Sequence, residues 1–186
     1  NNLRLLVHVP QETRHVPRVL SDAGIRFVIV QPLPGNRIDG ACFWIDNAPT
    51  IAVSLRFDRI DNFWHVLFHE ISHVRKGERS LDTDMEAVGA EDDRPEIEHE
   101  ADAFAVETLV PSQQLESFIA RVGPFYSAAR IAAFAHTMGV HPAIVVGQLQ
   151  HRGEVAYSSF RKTMAPVREW VTASALIEAM ACSVKA

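Results

Sequence analysis

The sequence predicts an α+β domain with a small antiparallel sheet, a long helix after it and a helical extension toward the C-terminus. Two observations support this prediction. Between residues 25 and 57, short runs of β-branched and aromatic residues are separated by turn-forming residues. From residue 60 onward, apolar residues recur at the spacing of a helix. The chain has 186 residues, of which 47% are hydrophobic and 22% charged, as in an ordinary globular domain or a compact pair.

The segment before residue 60 predicts the sheet. Residues 1–24 have a weak helical pattern that Pro17 is expected to interrupt. Residues 25–30 predict a strand, and residues 41–45 and 50–55 predict a hairpin. The second hairpin strand alternates large and small side chains, which indicates one buried face. We expect an extended substrate to pair with the edge of that strand.

The metal helix is predicted over residues 60–75, which contain a His-Glu-x-x-His pattern. Residues four apart lie one helical turn above each other, so His69 and His73 can face one metal ion. Glu70 is offset by about 100° and borders the same cleft, where it can hold a water. The large apolar residues share another side of the helix: Phe63, Leu67, Phe68, Ile71 and Val74. Because five-residue patterns of this kind arise by chance, the prediction depends on a third ligand.

A second helix, predicted over residues 97–109 and ended by Pro111, offers that ligand. A catalytic zinc site needs three protein ligands and one open position. Glu98 and Glu100 are about 200° apart on a helix, so they cannot both face one metal. We favour Glu98, because it shares a side with small residues and with Asp102, which can orient a ligand histidine. Glu100 is the alternative third ligand.

The remaining segments complete a division into a core, residues 1–122, and a helical extension, residues 123–186. Residues 75–97 are acid-rich without a period, which predicts a solvated loop. Helices are predicted over residues 113–122, from the cap Ser127 to Gly139, and from Pro142 to Gln150. The last two have a helix-turn-helix outline. The second of them has no Arg or Lys for DNA contacts, so we favour packing against the core. Residues 159–186 could dock on the core or on a partner chain.

Charge and cysteine content limit the expected partners and compartment. The net charge of −5 gives no electrostatic argument for nucleic acid as the main partner. Cys42 and Cys182 have no metal-binding spacing and fit a reducing cytoplasm better than a disulfide scaffold. No apolar run reaches membrane-spanning length. The chain does not begin with Met, so we expect it to be part of a longer protein.

The two motifs together resemble the ImmA/IrrE family of metallo-endopeptidases. Members pair His-Glu-x-x-His with a downstream Glu-x-Glu-Ala-Asn/Asp-x-Phe-Ala segment that ends in Leu-x-Pro, here Glu98 to Pro111. Residues 55–64 are similar to a subgroup fused to a DNA-binding helix-turn-helix domain, often regulators of antitoxin type. The resemblance covers about residues 25–155 and implies that this chain is the C-terminal part of such a regulator. His65 departs from the pattern, which has an aromatic or aliphatic residue there.

The predicted function is zinc-dependent endopeptidase activity on a zincin-like fold. His69, His73 and Glu98 would hold Zn²⁺, Asp102 would orient a ligand histidine, and Glu70 would act as general base and then acid. The resemblance implies a protein substrate, commonly a helix-turn-helix repressor, in gene regulation, stress response or toxin–antitoxin control. The alternative is a metal-binding sensor domain of a DNA-binding regulator with little or no peptidase activity.

Other groups and partners follow from the same hypothesis. Tyr126, His136 and His141 are candidates for stabilising the oxyanion, and the spacing does not select among them. Nucleic acid would be bound only through a DNA-binding domain absent from this chain. No membrane partner is expected, and a homodimer is left open.

Overall fold

The computed structural model describes residues 2–31, 37–83 and 95–174. The helices are α1 (Val16–Asp22), α2 (Ile60–Lys76), α3 (Glu96–Leu109), α4 (Ser112–Val122), α5 (Ala128–Met138) and α6 (Pro142–His151). The strands are β1 (Arg26–Ile29), β2 (Ile38–Ile45), β3 (Ala48–Val53) and β4 (Ser80–Thr83). Helices pack on one small sheet, so the predicted α+β class is confirmed.

The N-terminal segment differs from its prediction at the proline. Two 3-10 turns, Leu3–Leu6 and Pro10–His15, precede α1. Pro17 lies in the first turn of α1 and does not interrupt it. The first backbone N–H groups of a helix have no intrahelical partner, so a proline there removes no helical hydrogen bond.

The sheet has four strands in the order β1-β3-β2-β4. The predicted hairpin is present as β2 and β3, which are antiparallel and joined at Asp46 and Asn47, both with positive φ. Pro49 belongs to β3 and pairs with Trp44, so the turn is shorter than predicted. However, β1 pairs with β3 in parallel, and the expectation of a purely antiparallel sheet was wrong. Side-chain alternation is the same for either strand direction, so it could not distinguish them.

The position of β3 also overturns the predicted substrate edge. Val53 pairs with Ile29 of β1 on one side and with Gly40 of β2 on the other. Both edges of β3 therefore already have a neighbouring strand, and no substrate can add to them. The prediction of substrate pairing along β3 was wrong because the sequence does not reveal which strands are central.

Part of the predicted loop over residues 75–97 is ordered secondary structure. Helix α2 ends at Gly77, whose φ of 73° is the left-handed cap conformation. Three residues later β4 begins, and it pairs antiparallel with β2. The expectation of a loop was wrong here because a four-residue strand is too short to show a period. The acidic residues 84–94 of that prediction lie outside the described residues.

Helix α2 lies at the centre of the core. Its apolar side chains Phe63, Trp64, Val66 and Leu67 are almost completely buried. The sheet, α3 and α6 all pack against this helix. Surrounded in this way, α2 also buries polar residues, among them His69. The residues of the motif are thus enclosed by several elements at once.

The C-terminal helices pack onto this core. Ser127 caps α5 by accepting a hydrogen bond from the backbone N–H of Arg130, and Gly139 ends the helix. Helix α6 buries a set of apolar side chains: Ile144, Val145, Val146 and Leu149. This burial favours the predicted packing of α6 against the core over contacts with DNA. Among the described residues no single helix is long and apolar enough to cross a membrane. Helices α5 and α6 have sufficient length and apolar composition only when taken together, and they are bent by 108° relative to each other.

The last described segment docks beside the start of α2. The Asp58 carboxylate accepts hydrogen bonds from the backbone N–H groups of Val167 (3.0 Å) and Arg168 (2.7 Å). The Arg168 side chain donates to the carbonyl of Leu55 at 2.7 Å, and Val171 is buried. Of the two placements left open for residues 159–186, the described part therefore docks on the core. Residues 175–186 lie outside the described residues.

Candidate metal centre

The two histidines of the motif converge on one point. His69 and His73 lie one turn apart on α2, and both are 0% exposed. Their Nε2 atoms are 3.0 Å from each other, and their ring centroids are 4.9 Å apart. Two imidazole nitrogens this close are arranged as ligands of a shared cation.

Glu98 brings a third donor from α3. Its Oε2 atom is 3.1 Å from Nε2 of His69 and 3.6 Å from Nε2 of His73. Helix α3 approaches α2 with small buried residues, Ala101 and Ala105, which permit close packing of the two helices. The register of α3 therefore directs Glu98 at the histidine pair.

The spacing of the three donor atoms fits a tetrahedral zinc site. Zinc bonds to nitrogen and oxygen are about 2.0–2.1 Å long, so donors at tetrahedral angles are about 3.3–3.4 Å apart. The observed separations of 3.0, 3.1 and 3.6 Å bracket that value. Two imidazoles and one carboxylate are also the donor set of many zinc hydrolases. The residues present therefore fit the metal.

Glu100 points elsewhere. Its carboxylate forms an ion pair with Lys76, and its side chain is 56% exposed. Glu98, by contrast, is only 18% exposed at its side chain. The structure thus brings Glu98 and not the alternative ligand Glu100 to the two histidines.

Asp102 supports the ligand His69 from the next turn of α3. Its Oδ1 atom accepts a hydrogen bond from Nδ1 of His69 at 2.8 Å, and Nε2 of His65 is 3.4 Å away. Burial opposes ionisation of Asp102, but the hydrogen bonds from His65 and His69 outweigh it and hold the pKa of this carboxyl well below its usual value. The ionised aspartate leaves Nε2 of His69 for the metal.

His65, the departure from the family pattern, lies beside Asp102. His65, His69 and Asp102 also lie close enough together to hold a cation. However, Nδ1 of His69 is already bonded to Asp102, so the contacts of this trio are accounted for by hydrogen bonding. The trio of His69, His73 and Glu98 also lies close enough together to hold a cation, and it leaves Nδ1 of His69 to Asp102.

Three residues near the site have no counterpart in the sequence predictions. Glu78 lies with Oε2 3.4 Å from Nδ1 of His73. The Ser80 hydroxyl donates to Oε2 of Glu70 at 2.7 Å. Gly40 of β2 faces Glu70 so closely that a Cβ at that position would lie 2.2 Å from Oε1. The glycine cap at the end of α2 was the only sequence signal that the chain turns back here.

The three oxyanion candidates have contacts of their own. Tyr126 donates to Glu154 at 2.6 Å, and partial burial and this hydrogen bond raise the pKa of Tyr126 to about 12. His141 caps α6 by accepting from the backbone N–H of Ala143, and burial lowers its pKa. His136 lies exposed in the last turn of α5. None of these contacts involves the metal-ligand trio.

Comparison with known protein families supports the assignment of this site. The sequence model of peptidase M78, described as the IrrE N-terminal-like domain, matches residues 21–146. The chain belongs to the peptidase M78 family. This result confirms the resemblance to ImmA/IrrE metallopeptidases and indicates a metallopeptidase-type enzyme. The matched M78 region extends from the end of α1 into α6 and contains the complete trio with Glu70. No curated protein matches the chain.

Proposed function

We propose that the chain is a zinc-dependent endopeptidase that cleaves a protein substrate. The observation that supports this proposal is the convergence of His69, His73 and Glu98, together with a fully buried Glu70 that follows His69 in the sequence of α2. A site that only binds metal needs the three donors. It has no use for a further buried glutamate next to a ligand, whereas hydrolysis needs a proton acceptor there.

In the proposed site His69 and His73, through their Nε2 atoms, and the carboxylate of Glu98 would hold the metal. When bound, Zn²⁺ lowers the pKa of water and polarises the scissile carbonyl. Asp102 and Glu78 would not bind the metal themselves but would support its histidine ligands. Each accepts a hydrogen bond from the outer Nδ1 atom of a ligand histidine, which orients the ring and makes it a better donor.

Glu70 moves the protons. Its carboxylate takes a proton from the attacking water, which then adds to the scissile carbonyl carbon. The same carboxyl gives that proton to the amine nitrogen as the C–N bond breaks, so the group returns to its starting state. Glu70 is 0% exposed. In such an enclosed place bulk water does not compete for the proton.

The substrate class rests on family resemblance. Members with this motif pair commonly act on helix-turn-helix repressors, so we propose such a repressor as substrate, in gene regulation, stress response or toxin–antitoxin control in the cytoplasm. Contact with DNA would belong to a domain outside this chain. The second helix of the helix-turn-helix outline, α6, buries its apolar side chains in the core.

A metal-binding sensor domain is the second candidate, and one observation favours it. His69, Glu70 and His73 are each 0% exposed. A sensor can use an enclosed site, whereas a peptidase must admit a peptide. The two functions differ in what Glu70 does, because a sensor site needs no general base.

The proposal is tested by incubating the zinc-loaded chain with purified helix-turn-helix repressors, the substrate class proposed above. We expect defined fragments from the wild type and none after treatment with a chelator. Fragments that persist unchanged in the chelator would assign the cleavage to a contaminating peptidase. An intact repressor with zinc-loaded protein would favour the sensor function.

Glu98→Gln is expected to weaken zinc binding strongly, whereas Glu100→Gln leaves it nearly unchanged. The reason is geometric, since Oε2 of Glu98 faces both histidines and Glu100 pairs with Lys76 at the surface. Titration against a competing chelator measures both affinities. The two variants are matched, because each removes one negative charge from the same helix. If Glu100→Gln weakened zinc binding more than Glu98→Gln, the assignment of Glu98 as third ligand would be wrong.

Asp102→Ala is expected to lower zinc affinity about 10- to 100-fold, because carboxylates that orient ligand histidines have effects of this size. Glu78→Gln is expected to have a smaller effect, because the hydrogen bond that Glu78 makes is longer. The Glu78 carboxylate is 3.4 Å from Nδ1 of His73, whereas the Asp102 carboxylate is 2.8 Å from Nδ1 of His69. The same chelator competition measures both variants. Unchanged zinc affinity in Asp102→Ala would show that this aspartate does not orient His69 for metal binding.

A further inference from the structure

The turn at the end of α2 carries a serine back to the general base. After the cap at Gly77 the chain reverses, and β4 begins at Ser80, which pairs with Cys42 of β2. This pairing holds the backbone of Ser80 on the sheet. From there its hydroxyl donates to Oε2 of Glu70 at 2.7 Å. A strand thus supplies a fixed hydrogen-bond donor to a helix residue ten positions earlier in the sequence.

The other side of the Glu70 carboxyl lies against β2. An ideal Cβ on Gly40 would be 2.2 Å from Oε1 of Glu70 and 2.8 Å from Cγ1 of Val66. Contacts this short do not occur, so the carboxyl occupies space that only a glycine leaves open. Gly40 and Ser80 lie on neighbouring strands, β2 and β4. Together they define one pocket for the end of the Glu70 side chain.

We propose that Ser80 is a positioning residue that orients the Glu70 carboxylate for proton transfer, with Gly40 providing the space. The role in proton transfer rests on the proposed peptidase function. A glutamate side chain has three rotatable bonds, and a buried ionised carboxylate requires hydrogen-bond donors. A hydroxyl bonded to a carboxylate is a strong, charge-assisted donor. Holding Oε2 restricts rotation about the last bond, so the second oxygen keeps one direction.

The coupling between the two side chains is tested without any activity assay. In the full chain as purified, Ser80→Ala is expected to lower the thermal midpoint by about 5 °C, the size expected when a hydrogen bond to a charged group is lost. In a Glu70→Ala background the same substitution is expected to leave the midpoint unchanged. The control is Ser54→Ala, which removes a buried hydroxyl that has no hydrogen-bond partner among the described residues and is therefore expected to change the midpoint less. Equal effects of Ser80→Ala in both backgrounds would overturn the proposal.

The positioning role is tested by kinetics on the zinc-loaded chain with purified helix-turn-helix repressors as probes. Ser80→Ala is expected to lower kcat about 10- to 100-fold with KM and zinc content unchanged, the cost of a misplaced catalytic group. Ser80→Thr keeps the hydroxyl and is expected to restore most of kcat. A Ser80→Ala variant with wild-type kcat would overturn the proposal. If the wild type cleaves nothing, the peptidase function fails, and the role of Ser80 in proton transfer fails with it. The thermal coupling still decides whether Ser80 holds the Glu70 side chain.

Discussion

Glu70→Gln is expected to lower peptide cleavage by about 10² to 10⁴ while the zinc content stays unchanged. Glutamine keeps the size of the side chain in its pocket beside Gly40 and Ser80. It cannot accept a proton from water at neutral pH. The metal remains, because its donors are His69, His73 and Glu98. Cleavage rate and metal content are measured on the same preparation.

The control for this variant is Glu107→Gln, the same chemical change at an exposed position of α3, where the carboxylate accepts a hydrogen bond from the backbone N–H of Ser112. It is expected to cleave at the wild-type rate. Loss of zinc from Glu70→Gln would make Glu70 a structural support of the site. If Glu70→Gln cleaved at the wild-type rate, Glu70 would not be the general base.

His73→Ala is expected to reduce bound zinc from about one ion per chain to a small fraction of that, and the double variant His69→Ala/His73→Ala to none. Each substitution removes one of the three donors that the tetrahedral arrangement requires. Elemental analysis after dialysis against a weak chelator measures the occupancy.

His65→Ala is the matched control for these substitutions. His65 lies on the same helix, one turn before His69, and its Nε2 atom is 3.4 Å from Oδ1 of Asp102. It is expected to retain zinc, with at most the smaller loss that follows from removing a partner of Asp102. Zinc retained at one ion per chain by the double variant would move the metal away from this centre.

The sequence was sufficient for the parts of the site that lie on helices. The four-residue spacing of His69 and His73, and the separation of Glu98 from Glu100 by about 200°, follow from helix geometry alone. The structure places these side chains as that geometry requires, with Asp102 one turn beyond Glu98. Long helices have a strong period, so the faces of α2 and α3 could be assigned before their packing was known.

The parts contributed by the sheet were not predictable in the same way. Strand direction and strand order leave no mark on side-chain alternation, so the parallel β1 and the central position of β3 were missed. Glu78 and Ser80 reach the site because the chain reverses after Gly77 and pairs with β2, the strand that contains Gly40. Such contacts arise from tertiary packing, and nothing in four residues of β4 indicates them.

The most direct test of the metal centre is a crystal structure of the zinc-loaded chain with anomalous scattering recorded at the zinc edge. We expect one strong peak within about 2.0–2.2 Å of Nε2 of His69, Nε2 of His73 and a carboxylate oxygen of Glu98. A peak at His65 and Asp102, or no peak within bonding distance of His73, would contradict the assignment of the ligands and the proposed peptidase site that depends on it.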